Sequence, residues 1–123
     1  MIKLLLVEDN AVFRRTLREA LHAHYPLLEI LEAVDIVEAR SLVRTGPPDL
    51  ALLDISLPDG SGLDLAATLL LDWPQLPVAI CTSHDLPEYR DVARRLGVRS
   101  FLVKQDLDWR AFRQFIGDSG TGH

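Results

Sequence analysis

Sulfur chemistry is almost absent from the sequence. With Cys81 as its single cysteine, no disulfide closes within the chain, which fits a reducing compartment. Cys81 lies in the apolar stretch Val78-Ala79-Ile80-Cys81, where burial as a small apolar side chain is the expectation. Long hydrophobic runs are missing too. No segment approaches the roughly 18 apolar residues of a membrane span. The short apolar start carries Lys3 and meets acids at once, unlike a secretory signal. Positive charge is scarce, with 13 Lys and Arg against 18 Asp and Glu and a formal net charge of -5. That balance argues against the basic face of a nucleic-acid-binding domain. His22, His24, His84 and His123 show no metal-ligand spacing with cysteine or acids. The expectation is a cytoplasmic single domain, and 123 residues with 48% hydrophobic content suffice for a core without staples.

What is present is an alternation of apolar runs and amphipathic stretches. Ile2–Val7 is continuously apolar, as a strand covered on both faces would be. Asn10 is placed to cap a helix with Phe13, Leu17, Ala20, Leu21 and His24 at helical spacing, stopped by Pro26. Leu28–Val34 reads as a more exposed strand because of Glu29 and Glu32. Asp35 is placed to cap a helix carrying Val37, Ala39, Leu42 and Val43, which ends at Gly46-Pro47-Pro48. Leu50–Asp54 is the third strand, and a helix from about 63 to 72 follows a glycine loop. Pro77–Thr82 is the fourth strand, with its proline at the tolerated first position. Asp85-Leu86-Pro87-Glu88 reads as a capping box for a helix with Val92, Ala93 and Leu96 inward and Gly97 as C-cap. Ser100–Lys104 is a short fifth strand. A last helix is capped by Asp108, with Leu107 and Phe112 placed as a hydrophobic staple; Trp109 falls off its apolar stripe, as an interface residue would. Gly117 to His123 lacks apolar residues and reads as a disordered tail or severed linker after a domain spanning 1–116.

Five βα units imply a doubly wound parallel sheet with helices on both faces, and ligands in such sheets bind beyond the carboxyl ends of the strands. Those ends present Glu8-Asp9, Asp54, Thr82 and Lys104. Clustered carboxylates repel unless a positive group is bound among them. Each residue acquires a role if a phosphoryl group is placed on Asp54. The Asp54 carboxylate is the nucleophile. Mg²⁺ takes Asp9, Asp54 and the backbone carbonyl near Ser56 as oxygen ligands, with Glu8 acting through water. Lys104 is a point charge and Thr82 a hydroxyl donor for phosphoryl oxygens. Singly, Asp54 would read as a cap, Lys104 as a surface residue and Thr82 as a strand end. Gly60 and Gly62 read as turn glycines, since their spacing is not that of a nucleotide loop.

Taken together, Glu8-Asp9, Asp54, Leu57-Pro58-Asp59-Gly60-Ser61-Gly62, Thr82 and Phe101-Leu102-Val103-Lys104 resemble the receiver domain of two-component response regulators over nearly the whole chain. The resemblance implies a flavodoxin-like sheet of order 2-1-3-4-5 with five helices. It also implies phosphorylation of Asp54 by a sensor histidine kinase or histidine phosphotransfer protein, with Mg²⁺ as cofactor. Thr82 and Phe101 become the switch pair, remodelling the face of the fourth helix, fifth strand and fifth helix, through which a homodimer is a further expectation. Ser56 and His84 occupy positions that tune phosphoryl lifetime in the family. Gln105 departs from the family, where proline often follows the lysine; a cis bond without proline costs about 2.5–4 kcal/mol, so a trans link is expected. Ser83 stands where alanine is frequent. Two alternatives accompany this reading. One is a pseudo-receiver that binds partners without phosphorylation. The other is an aspartyl-phosphate hydrolase, disfavoured because Ser56 stands where its general acid would be. Nothing after Ile116 reads as a helix-turn-helix, so nucleic-acid binding by these residues is not expected.

Overall fold

The computed structural model describes residues 2–120, the last three by their backbone only. The elements run β1 (Lys3–Val7), α1 (Ala11–His24), β2 (Glu29–Ala33), α2 (Ile36–Leu42), β3 (Leu50–Leu53), α3 (Gly62–Asp72), β4 (Val78–Thr82), α4 (Pro87–Leu96), β5 (Ser100–Val103) and α5 (Trp109–Gly120). A two-residue hairpin, Ser56–Leu57 with Gly60–Ser61, interrupts the loop after β3. The strands form one five-stranded parallel sheet in the order β2-β1-β3-β4-β5. This is the flavodoxin-like arrangement that the sequence predicts.

Alternation along the strands divides the core in two. Leu5, Val7, Ala51, Leu53, Val78 and Ile80 face one way, against Ala39 of α2, Leu65, Ala66 and Leu69 of α3 and Ala93 of α4. Leu4, Leu6, Leu50, Leu52, Ala79 and Cys81 face the other, against Leu17 and Leu21 of α1 and Phe112, Phe115 and Ile116 of α5. The central strands β3 and β4 are buried throughout, whereas β2 and β5 are half exposed, as edge strands are.

Several local expectations hold. Asn10 accepts from the Phe13 amide at 2.9 Å, Asp35 from that of Glu38 at 2.8 Å and Asp108 from that of Arg110 at 2.9 Å. Gly97 closes α4 in the left-handed conformation at φ 93°, where a Cβ would be strained. Others need correction. Asp85 does not cap α4: Leu86 occupies the cap position without a side-chain bond, Pro87 opens the helix, and Asp85 instead pairs with Arg90 at 2.5 Å. Val92, expected inward, is 39% exposed, and Ala93 is the buried residue of α4; on α2, Val37 is 70% exposed and Ala39 is the buried residue. His24 is exposed and stacks on Trp109 with centroids 4.5 Å apart. The last helix continues to Gly120, so residues 117–120 of the expected tail are helical, while 121–123 lie outside the described residues. Among the described residues no helix is long and apolar enough to cross a membrane.

Cys81 is 3% exposed, and burial pushes its thiol up to about 12. Since the thiolate is the reactive form, an aromatic disulfide reagent at pH 8 is expected to label Cys81 only after denaturant is added. Rapid labelling of the native protein would contradict this packing.

Candidate functional site

Each acid of the site stands just past a buried strand. β1 ends at Val7, and Glu8 follows with its amide bonded to the Ala33 carbonyl at 2.9 Å. β3 ends at Leu53, and the Asp54 amide reaches the Val7 carbonyl at 3.0 Å. This register places carboxylate oxygens of Glu8, Asp9 and Asp54 all within 4.8 Å of one another. Glu8 and Asp54 are 2% and 5% exposed, while Asp9 is exposed. At an effective dielectric of about 20, two unit charges 4.8 Å apart repel by about 3 kcal/mol, so the trio is costly.

Lys104 meets part of that cost. Its Nζ lies 2.6 Å from Glu8 Oε1 and 2.8 Å from Asp54 Oδ2. The other oxygens take backbone donors: Asp54 Oδ1 accepts from Ile55 N at 2.7 Å, and Glu8 Oε2 from Asn10 N at 2.9 Å. Three carboxylates against one ammonium still leave negative charge in excess. The donor set is all oxygen and partly open through Asp9, which suits a hard divalent cation such as Mg²⁺.

Burial, partly offset by Lys104, raises the Glu8 carboxyl above its ordinary 4.5. A folded value above the unfolded one means the fold favours the protonated acid. Stability from this group is therefore lost as pH rises from 4.5 through the folded value. For Lys104, burial alone would lower the value, but hydrogen bonds to Asp54 and Glu8 outweigh it and raise the ammonium above 10.5. Its contribution is present below 10.5 and lost only as pH climbs through the folded value. In metal-free protein, Glu8→Gln is expected to raise the melting temperature at pH 7 while weakening Mg²⁺ binding. Melts from pH 4 to pH 7 should show the gap over wild type widening; a constant gap contradicts the assignment.

The other residues singled out in the sequence surround this cluster. Thr82 ends β4 fully buried, its Oγ1 accepting from His84 N at 3.2 Å. Ser56 and His84 are exposed beside the site. Phe101 on β5 is half-buried against the α2–α4 side of the core, and the Arg90 guanidinium lies 4.7 Å from its ring centroid. The Lys104–Gln105 bond is trans, as all bonds among the described residues are, and the turn Lys104–Asp106 is 3-10. Gln105 Nε2 donates to the Ser83 carbonyl at 3.4 Å, so the non-proline residue ties together the loops after β4 and β5.

Sequence reasoning missed four contributors. Gly62 is more than a turn glycine. Its amide donates to the Ile55 carbonyl at 2.8 Å, and a Cβ there would stand 1.7 Å from the Asp54 carbonyl oxygen. Gly60, at φ 152°, does serve the hairpin turn. Asp59 accepts from the amides of Ile36 at 2.9 Å and Val37 at 3.1 Å, fastening the loop after Asp54 to the start of α2. Arg14 Nη1 donates to the Glu8 carbonyl at 2.8 Å while its Nε pairs with Glu32 at 3.1 Å. Phe13 places its ring 4.6 Å from Lys104 Nζ. Only Phe13 had a local signal, being the first-turn aromatic after the acid pair.

The comparisons with known proteins agree with this geometry. Residues 4–110 match the response regulator receiver domain family. The chain is 36% identical over 122 residues to the DNA-binding transcriptional activator DevR/DosR of Mycobacterium tuberculosis, covering 99% of this chain and 56% of that one. It thus spans little more than half the length of that relative. The non-phosphorylated HemR receiver domain of Leptospira biflexa superposes with a TM-score of 0.83 at 30% identity, covering 96% of this chain and 93% of that one. The Mn²⁺-bound form of response regulator Rcp1 gives 0.79 at 25% identity, with coverages of 95% and 91%. Since the family match runs from the first strand into the last helix, the chain belongs to the receiver domains of two-component response regulators, and its acidic trio provides the phosphoacceptor chemistry of that family.

Proposed function

We propose that Asp54 is the residue that accepts the phosphoryl group, with Lys104 and Thr82 as its catalytic partners. The carrying observation is the Lys104 ammonium at 2.8 Å from Asp54 and 2.6 Å from Glu8, inside a carboxylate trio at the carboxyl edge of the sheet. An Asp54 oxygen attacks phosphorus, the bond from phosphorus to the donor imidazole nitrogen breaks, and its electron pair stays on that nitrogen. Lys104 follows the charge from the carboxylate to the phosphoryl oxygens. Thr82 Oγ1 already accepts from His84 N, leaving its own proton to donate to a phosphoryl oxygen. Asp9, Asp54 and the Ser56 carbonyl would hold Mg²⁺, with Glu8 acting through water. When bound, the ion offsets the carboxylate repulsion and the charge of the transferred group. That the similar response regulator Rcp1 has a Mn²⁺-bound form supports a divalent cation in this reading.

Thr82 and Phe101 act as the switch, so that phosphorylation alters the α4-β5-α5 face, where a homodimer would form. His84 and Ser56, exposed beside Asp54, set how fast water removes the group. The donor is a sensor histidine kinase or histidine phosphotransfer protein in the cytoplasm, and residues 1–116 constitute the receiver unit. Incubation with a small acyl phosphate and Mg²⁺ is expected to add one phosphoryl group per chain, stable in acid and labile in base. Failure to label under both acyl phosphate and a histidine-phosphorylated donor would leave a protein-binding module in its place.

A further inference from the structure

The Lys104 ammonium touches three things: Glu8 at 2.6 Å, Asp54 at 2.8 Å and the face of Phe13 at 4.6 Å. Phosphoryl transfer changes the first two. Asp54 exchanges its carboxylate charge for an acyl phosphate, and any cation among the acids draws on Glu8. The ring's negative face is unaffected by either event. Phe13 is also held by the site that it serves. Glu8 Oε2 accepts from Asn10 N at 2.9 Å, and Asn10 Oδ1 accepts from Phe13 N at 2.9 Å. The Phe13 ring then meets Lys104, whose Nζ returns to Glu8 Oε1, closing a circuit through the start of α1. The ring is anchored from behind by the α1–α5 side of the core.

Resting on the reading of Asp54 as phosphoacceptor, we propose that Phe13 is a positioning residue. Its ring keeps the Lys104 ammonium over the site while the carboxylate contacts are exchanged for phosphoryl oxygens. An ammonium over an aromatic face has this property because the attraction comes from the ring quadrupole and needs no charge of its own. Aliphatic replacement preserves packing and the Asn10 cap but removes that attraction.

The test uses the full chain and two readouts. In the first, NMR signals of the Lys104 ε-methylene are recorded metal-free and with Mg²⁺ plus beryllofluoride as phosphoryl mimic. Wild type and Phe13→Tyr should keep a ring-current upfield shift in both states, and Phe13→Leu should lack it in both. The second is the rate of labelling by acetyl phosphate at saturating Mg²⁺. Phe13→Leu is expected to be about threefold to tenfold slower, with Phe13→Tyr restored to near wild type. Loss of the wild-type shift in the mimic-bound state overturns the proposal, as does equal labelling by Phe13→Leu and wild type. Absence of labelling in wild type itself would be failure of the phosphoacceptor reading, and the NMR arm still decides the role of Phe13.

Discussion

Asp54→Asn is expected to abolish labelling by acyl phosphate or a histidine-phosphorylated donor while leaving the fold intact. Asparagine nearly matches aspartate in shape and can still accept from the Ile55 amide, which reaches Asp54 Oδ1 at 2.7 Å. What it lacks is the second anionic oxygen, the nucleophile of an acyl phosphate. The change also removes one of three mutually repelling charges while Glu8 keeps Lys104 as its partner. Metal-free Asp54→Asn should therefore melt no lower than wild type, and higher if relief of repulsion outweighs the lost Lys104 contact. Mg²⁺ binding should weaken because a carboxylate ligand is gone. Intact-mass analysis after labelling checks the first claim and paired melts the second. Retained stoichiometric phosphate in Asp54→Asn sinks the assignment of the acceptor.

Among the described glycines, Gly62 is where an alanine should do the most damage. The added Cβ would stand 1.7 Å from the Asp54 carbonyl oxygen and 2.7 Å from its carbon, both backbone atoms that cannot rotate away. Either α3 withdraws from the sheet or the peptide after Asp54 shifts. Withdrawal strips contacts from Leu63, Leu65 and Ala66, which are buried in the larger core cluster. Costs of about 4 kcal/mol or more belong to such events and are rare for a single substitution. Shifting the peptide instead would move the Ile55 amide off Asp54 Oδ1 and misplace the acceptor. Denaturant melts and labelling rates together separate the two routes, and wild-type values in both would refute the close-approach account. Gly97→Ala is a useful contrast, because nothing lies within 4 Å of its added methyl and only the positive φ resists it.

The sheet was legible because its signals are local. Continuous apolar runs at Leu4–Val7 and Leu50–Leu53 arise from strands covered on both faces, and each run ends at an acid. The acids, Thr82 and Lys104 were legible for the same reason, since strand ends place them without further information. What the sequence could not carry were pairings between distant loops. Asp59 looks like a turn residue, and its partners Ile36 and Val37 lie 23 and 22 residues earlier. Asp85 satisfied the spacing of a capping box, but Arg90 one turn later was a stronger partner than the orphan amides of a helix that opens on proline. Gly62 gave no sign of its role because close approach depends on where the Asp54 carbonyl points, which only the folded loop decides.

Asp59 also makes the first turn of α2 a listener to events at Asp54. The Ile36 and Val37 amides spend their hydrogen bonds on a loop residue, so their exchange with deuterated solvent is governed by how often that loop lets go. A phosphoryl group that steadies the loop should slow both amides together, and one that loosens it should speed them, with neither carrying a label. These two protons would thus offer a clock for phosphoryl occupancy that needs no label on either residue.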